Sequence, residues 1–145
     1  MLRLLFGGIM FVTGAVSALQ APINSALGKR TDVLFAVFVS FAVGALALLA
    51  ASVLSGQTAF AALRHVPVWQ LTGGLIGAVF VLGMTFLVPR LGATGVVAAA
   101  VAGQLAGGMV IDRFGIAGLP QVGVTPGRLF GLVLLVAGGI LVTRP

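Results

Sequence analysis

The chain has no cysteine and no tyrosine, one histidine, one tryptophan and two carboxylates in 145 residues. Without cysteine there is no disulfide, no thiol nucleophile and no thiolate metal site. His65 stands alone, beside Arg64, and one imidazole cannot build a metal centre. The carboxylates, Asp32 and Asp112, fall at predicted helix ends with no second acid, His or Cys to join either. A nucleophile–base pair, a general acid–base pair and a metal site are therefore all missing, and no enzyme is expected. No glycine pattern follows a strand and opens a helix, so nucleotide-binding fingerprints are absent and no cofactor is expected. Charge is scarce as well: 7% of residues, with eight basic side chains and a net charge of +6. The basic residues stand singly or in pairs between apolar runs, as topology anchors do, and do not form a nucleic-acid-binding patch.

Apolar residues fill the chain instead. Sixty per cent are hydrophobic, and the mean hydropathy is +1.26. Too little charged surface remains to cover a water-soluble domain of this size. The chain reads as an integral membrane protein whose first partner is the lipid bilayer. Met1-Leu2-Arg3 and the run after it resemble a signal peptide, with small residues at Val16-Ser17-Ala18. The succession of further spans downstream favours an uncleaved first helix.

Five spans are predicted, at about 4–24, 32–54, 68–88, 92–111 and 126–143, making one transmembrane domain over residues 1–145. Lys29 and Arg30 lie in the first loop, and Thr31 or Asp32 is the expected N-cap of span two. The polar connection 55–67 includes a possible interfacial turn at 59–63. Trp69 sits at the headgroup level at the start of span three, which Pro89-Arg90 closes. Asp112-Arg113 marks the exit of span four. Thr125 then reads as N-cap and Pro126 as the first residue of span five.

Polar residues inside these runs are few and ordered. Thr13, Ser17, Gln20 and Asn24 follow i, i+4, i+7, i+11, a strip about 60° wide on a continuous helix, with Pro22 opposite. Hydrocarbon offers such groups no hydrogen-bond partner, so the strip is expected to face a helix or a wet cavity. Gln104 is the one amide near the middle of a span, and Gly108 and Asp112 continue its face. Gln104, Gln20, Asn24, Ser17 and Thr13 are the candidate substrate contacts, with Asp112 a candidate coupling or gating group. Gly73 with Gly77, and Gly103 with Gly107, present small faces suited to helix packing. No acid lies mid-span, which disfavours proton exchange through an intramembrane carboxylate.

Across five spans, Arg3, Arg64, Arg113 and Arg128 fall on one side, and Lys29, Arg30, Arg90 and Arg144 on the other. This balance supplies no orientation signal and is compatible with insertion both ways. Two identical chains could then pair antiparallel about an axis in the membrane plane.

The runs Gly14–Gly28, Leu87–Thr94, Val101–Leu105 and Val110–Gly115 together resemble the YdcZ-like family, a half-size branch of the drug/metabolite transporter superfamily. The resemblance implies a bacterial inner-membrane, multi-pass protein that carries a small molecule. The acidic residue that the small multidrug-resistance branch carries in its first helix has no counterpart here. The expected fold is thus an all-α, five-transmembrane-helix bundle, assembled as an antiparallel, dual-topology homodimer. The partner could instead be a homologous half-size chain. A passive channel, or a subunit needing such a partner, is the alternative to an autonomous transporter.

Overall fold

The computed structural model describes residues 2–143, and all their regular structure is helical. Arg144 of the charge balance lies outside the described residues, as does the side chain of Arg3. Among the described residues there are five α-helices: α1 (Leu2–Ser17), α2 (Gln20–Gly28), α3 (Val33–Leu54), α4 (Gly73–Phe114) and α5 (Pro126–Thr143). The chain falls into two compact units, one up to Pro89 and one from Arg90.

In the first unit, the segment expected as one helix is two. Pro22 lacks an N–H, so the carbonyl of Ala18 loses its i+4 donor, and the ring crowds that carbonyl. The backbone responds at Ala18 and Leu19 with a tighter turn, in which the Leu19 N–H bonds to the Val16 carbonyl at 3.1 Å. Helix then resumes through Gly28, four residues beyond the predicted end at Asn24. Hydrogen bonds from the N–H groups of Arg30 and Thr31 to the Leu27 carbonyl finish α2. At Gly28 an added Cβ would lie 3.3 Å from Val33 Cα, so this glycine lets the end of α2 meet the start of α3. Asp32 caps α3 as expected: its Oδ1 accepts from the Phe35 N–H at 2.7 Å.

The connection after α3 contains two short 3-10 turns, Phe60–His65 and Val68–Leu71. The first overlaps the turn expected at 59–63. The second holds Trp69, so the α-helix of the third predicted span begins at Gly73 and not at Val68. Gly77 is a contact point: Phe41 lies 3.6 Å from where its Cβ would be.

Pro89 does not end this helix. The backbone stays helical past it and breaks at Gly92, where φ is 71° and ψ is 161°. That conformation is open essentially to glycine alone. A continuous helix of 42 residues would be about 63 Å long, roughly twice the hydrocarbon thickness of a bilayer.

In the second unit, α4 runs on to Phe114, which places Asp112 and Arg113 inside its last turn and not beyond the exit. Gly115 follows in the left-handed conformation (φ 62°), a common helix stop. Its missing Cβ would sit 2.9 Å from the Leu119 carbonyl oxygen, so only glycine fits. Thr125 caps α5, accepting from the Arg128 N–H at 3.3 Å, and Pro126 opens it. The seam between the 95–102 stretch of α4 and α5 is close at Gly139, where an added Cβ would meet Ala98 at 3.2 Å.

Among the described residues, four apolar helical segments are long enough to cross a membrane: Leu4–Gly28, Val33–Leu54, Val68–Phe114 and Pro126–Thr143. Large apolar side chains stand outward along all of them; Leu54 is 88% exposed and Leu4 82%. In water each such leucine forgoes about 1.5–3 kcal/mol of burial, whereas in lipid it is already solvated.

Candidate functional site

The buried residues of the first unit are few, and their chemistry is mixed. Ala21, Ala36, Val37 and Val81 are apolar, but Asn24 (3% exposed), Ser25 and Thr85 (0%) are polar. Asn24 and Ser25 come from α2, and Thr85 from α4 one turn beyond Val81. Asn24 Nδ2 and Thr85 Oγ1 are buried without a hydrogen-bond partner. An unsatisfied buried polar atom costs about 1–3 kcal/mol. Such atoms are uncommon in native interiors and mark places where a fold gives up stability.

Thr85 differs from several other hydroxyls of this chain. Thr13 donates to the Ile9 carbonyl at 2.8 Å, Ser17 to Gly14 at 2.8 Å, Thr72 to Trp69 at 2.7 Å and Thr143 to Gly139 at 2.9 Å. Each satisfies itself on its own helix. Thr85 does not, although it is the more deeply enclosed.

The predicted polar strip is therefore divided. Asn24 is buried, while Thr13, Ser17 and Gln20 are exposed, the first two with hydroxyls turned back on α1. The Pro22 break separates the α1 members from the α2 members, so they do not share one straight helix face. Gln104 is exposed on the second-unit part of α4. Of the predicted packing glycines, Gly77 meets Phe41, whereas nothing lies within 4 Å of an added Cβ at Gly73, Gly103 or Gly107. Close approaches occur instead at Gly28 and Gly139, which sequence reasoning passed over.

Asp112 has a partner that its spacing did not disclose. Its carboxylate accepts from Arg128 at the start of α5 at 2.5 Å, with both side chains about one-third exposed (31% and 35%). Arg128 also donates to the Gly123 carbonyl at 3.4 Å, and the Val122 N–H bonds to the Asp112 carbonyl at 2.9 Å. These bonds tie the loop 115–124 to the ends of both helices it joins. A cavity of about 240 Å³ beneath it is lined by Met109, Arg113, Val124 and Leu129 among others.

A second cavity, of about 380 Å³, lies in the first unit between α3 and the start of α4. Its lining is wholly apolar: Leu34, Val37, Phe38 and Phe41 from one helix, Leu75, Ala78, Val79 and Leu82 from the other. Its volume is within the range of small-molecule sites. Among the described residues, no cluster of three or more His, Cys, Asp or Glu could hold a metal ion.

Apolar helices long enough to span and sparse charge at their ends define an all-helical, multi-pass membrane protein. The chain belongs to the family described as "Putative inner membrane exporter, YdcZ", which matches residues 5–141. That family is a transport family and not an enzyme class, and its location is the inner membrane. The chain is similar to "Inner membrane protein YdcZ" of Escherichia coli (strain K12), 38% identical over 76 residues. The match covers 52% of this chain and 50% of the relative, so it spans about half the length of that curated protein. No solved structure matches the chain. The resemblance read from the four sequence runs is thus borne out at the level of the family.

Proposed function

We propose that the chain exports a small molecule across the inner membrane, as a dimer of five-span subunits with a polar cavity between helices. The family match over residues 5–141 is the observation that carries this reading. Five spans are supported by the length of α4 together with its break at Gly92: residues 73–91 and 93–114 are each long enough for one crossing. In this reading Gln20 and Asn24 line the substrate path in the first unit, and Gln104 lines it in the second. Asp112, held by Arg128, acts as a latch at the mouth of the fourth and fifth spans. The dimer pairs two copies antiparallel.

The test is export from cells that lack other exporters, using ethidium, salicylate and chloramphenicol as cationic, anionic and uncharged probes. Expression of the chain should lower accumulation of at least one probe several-fold. Equal accumulation of all three, with the protein present and folded in the membrane, would overturn export of such compounds. Gln104→Ala should weaken that export while leaving dimer and thermal stability unchanged. Loss of the dimer with export retained would make Gln104 a helix-packing residue.

A further inference from the structure

We propose that Asn24 and Thr85 form the polar end of a binding site for an uncharged, largely apolar molecule carrying a hydrogen-bond acceptor. The apolar body of that molecule lies in the groove between α3 and the first part of α4. The proposal rests on the export reading for its role as a substrate site, but the site itself is testable without transport.

Three observations converge. First, two polar atoms of the first unit, Asn24 Nδ2 and Thr85 Oγ1, are buried and unpaired. An amide N–H can only donate, and a hydroxyl can donate or accept. Together they match a carbonyl, ether or hydroxyl oxygen. Second, Thr85 lies about one turn beyond the last lining residue of the groove on α4, enclosed behind its wall. It is three residues beyond Leu82 and seven beyond Ala78, both groove residues, so the three share a face of α4. On α4 it stands between that face and the packed side marked by Gly77 and buried Val81. Third, the groove holds no charged residue: all eight lining side chains are apolar, with Phe38 and Phe41 among them. The charged groups nearest along the chain, Lys29, Arg30, Asp32 and Arg90, are exposed, and Asp32 is occupied in capping α3.

The occupant follows from these features. A cation or anion would lose its hydration and find no counter-charge, which is prohibitive in an apolar groove. A lipid chain would fill the groove but bring no acceptor to Asn24 or Thr85. An uncharged compound with an aromatic or aliphatic body and one polar oxygen satisfies both halves.

The absence of native cysteine makes the test direct. Thr85→Cys in membranes should react with neutral methyl methanethiosulfonate at least tenfold faster than with its trimethylammonium-ethyl and sulfonatoethyl analogues. Ala36→Cys, equally buried in an apolar setting, should react with none of them. Thr85→Cys as inert as Ala36→Cys would overturn the site. Equal reaction with all three reagents would overturn the uncharged class and describe an open wet cavity. In an Asn24→Cys/Thr85→Cys pair a short bismaleimide should bridge the two positions. No bridge would make them unrelated packing defects.

A functional arm separates the site from the export reading. Thr85→Val keeps shape and removes the hydroxyl, so it should raise the melting temperature of the detergent-solubilised protein while cutting chloramphenicol export at least tenfold. Thr85→Ser should restore export. A stabilised Thr85→Val with full export of chloramphenicol would leave Thr85 a structural defect and overturn its role. If the wild-type chain exports no probe, the export reading fails while the labelling pattern still decides the site.

Discussion

Asp112 and Arg128 hold the loop 115–124 from its two ends, and both are about one-third exposed. An ion pair at that depth is neither a screened surface contact nor a desolvated interior one, and about 1 kcal/mol is a fair expectation for its coupling. Asp112→Asn and Arg128→Gln should each lower the melting temperature, and the double variant should cost less than the sum. Thermal unfolding of the four proteins checks this. Additivity within about 0.3 kcal/mol would show that the pair is not coupled. If the pair also latches the end of the fourth and fifth spans, Asp112→Asn should change export rate more than it changes stability. Thr85 lies at the opposite extreme: it is fully enclosed, carries no charge and has no partner.

Elements in this chain are shaped by single residues that stop or break helices. Pro22 divides the predicted first span into α1 and α2. Pro22→Ala would supply the missing N–H to the Ala18 carbonyl and should fuse the two helices. Backbone chemical shifts of Ala18 and Leu19 in detergent micelles should then become fully helical. Unchanged shifts would mean that packing of α2 on α3, and not the proline, sets the break. Gly92 interrupts α4 with a backbone few other residues adopt, yet nothing lies within 4 Å of an added Cβ. The penalty for Gly92→Ala is therefore conformational and not steric, about 1–3 kcal/mol. A melting temperature equal to that of the wild type would show that the break is not maintained in the membrane protein.

At the scale of the whole molecule, the open question is orientation. Helices that bury so little within one chain leave faces for lipid and for a second copy. The even division of basic residues offers no preference for either insertion. In the dual-topology reading, two added lysines beside Arg144 should favour one insertion and two beside Arg3 the other. Each variant alone should lose export, and co-expression should restore it. Substituted-cysteine labelling from each side of the membrane reports orientation independently of activity. Full export from either variant in one fixed orientation would exclude the antiparallel pair and leave a parallel or mixed assembly.

Membrane residence, the helical class, the bounds of α3 and the start of α5 were legible in the residues themselves. Mean hydropathy decides between water and lipid without reference to fold, and caps act through neighbours three or four positions away, as Asp32 on Phe35 and Thr125 on Arg128 show. The family was likewise readable, because its runs are continuous in sequence. The strip from Thr13 to Asn24 was only half legible. Its spacing assumed a straight helix, and the break at Pro22 removed that assumption. Thr85 left no trace, because a lone threonine in an apolar run ordinarily bonds its own helix. What makes it different is that it is enclosed without such a bond, and burial depends on packing that periodicity does not encode. Arg128 was counted as a topology anchor, since nothing in a separation of 16 residues announces an ion pair to Asp112. Short-range chemistry is thus settled along the chain, whereas burial and pairing between helices depend on how the backbone brings distant residues together.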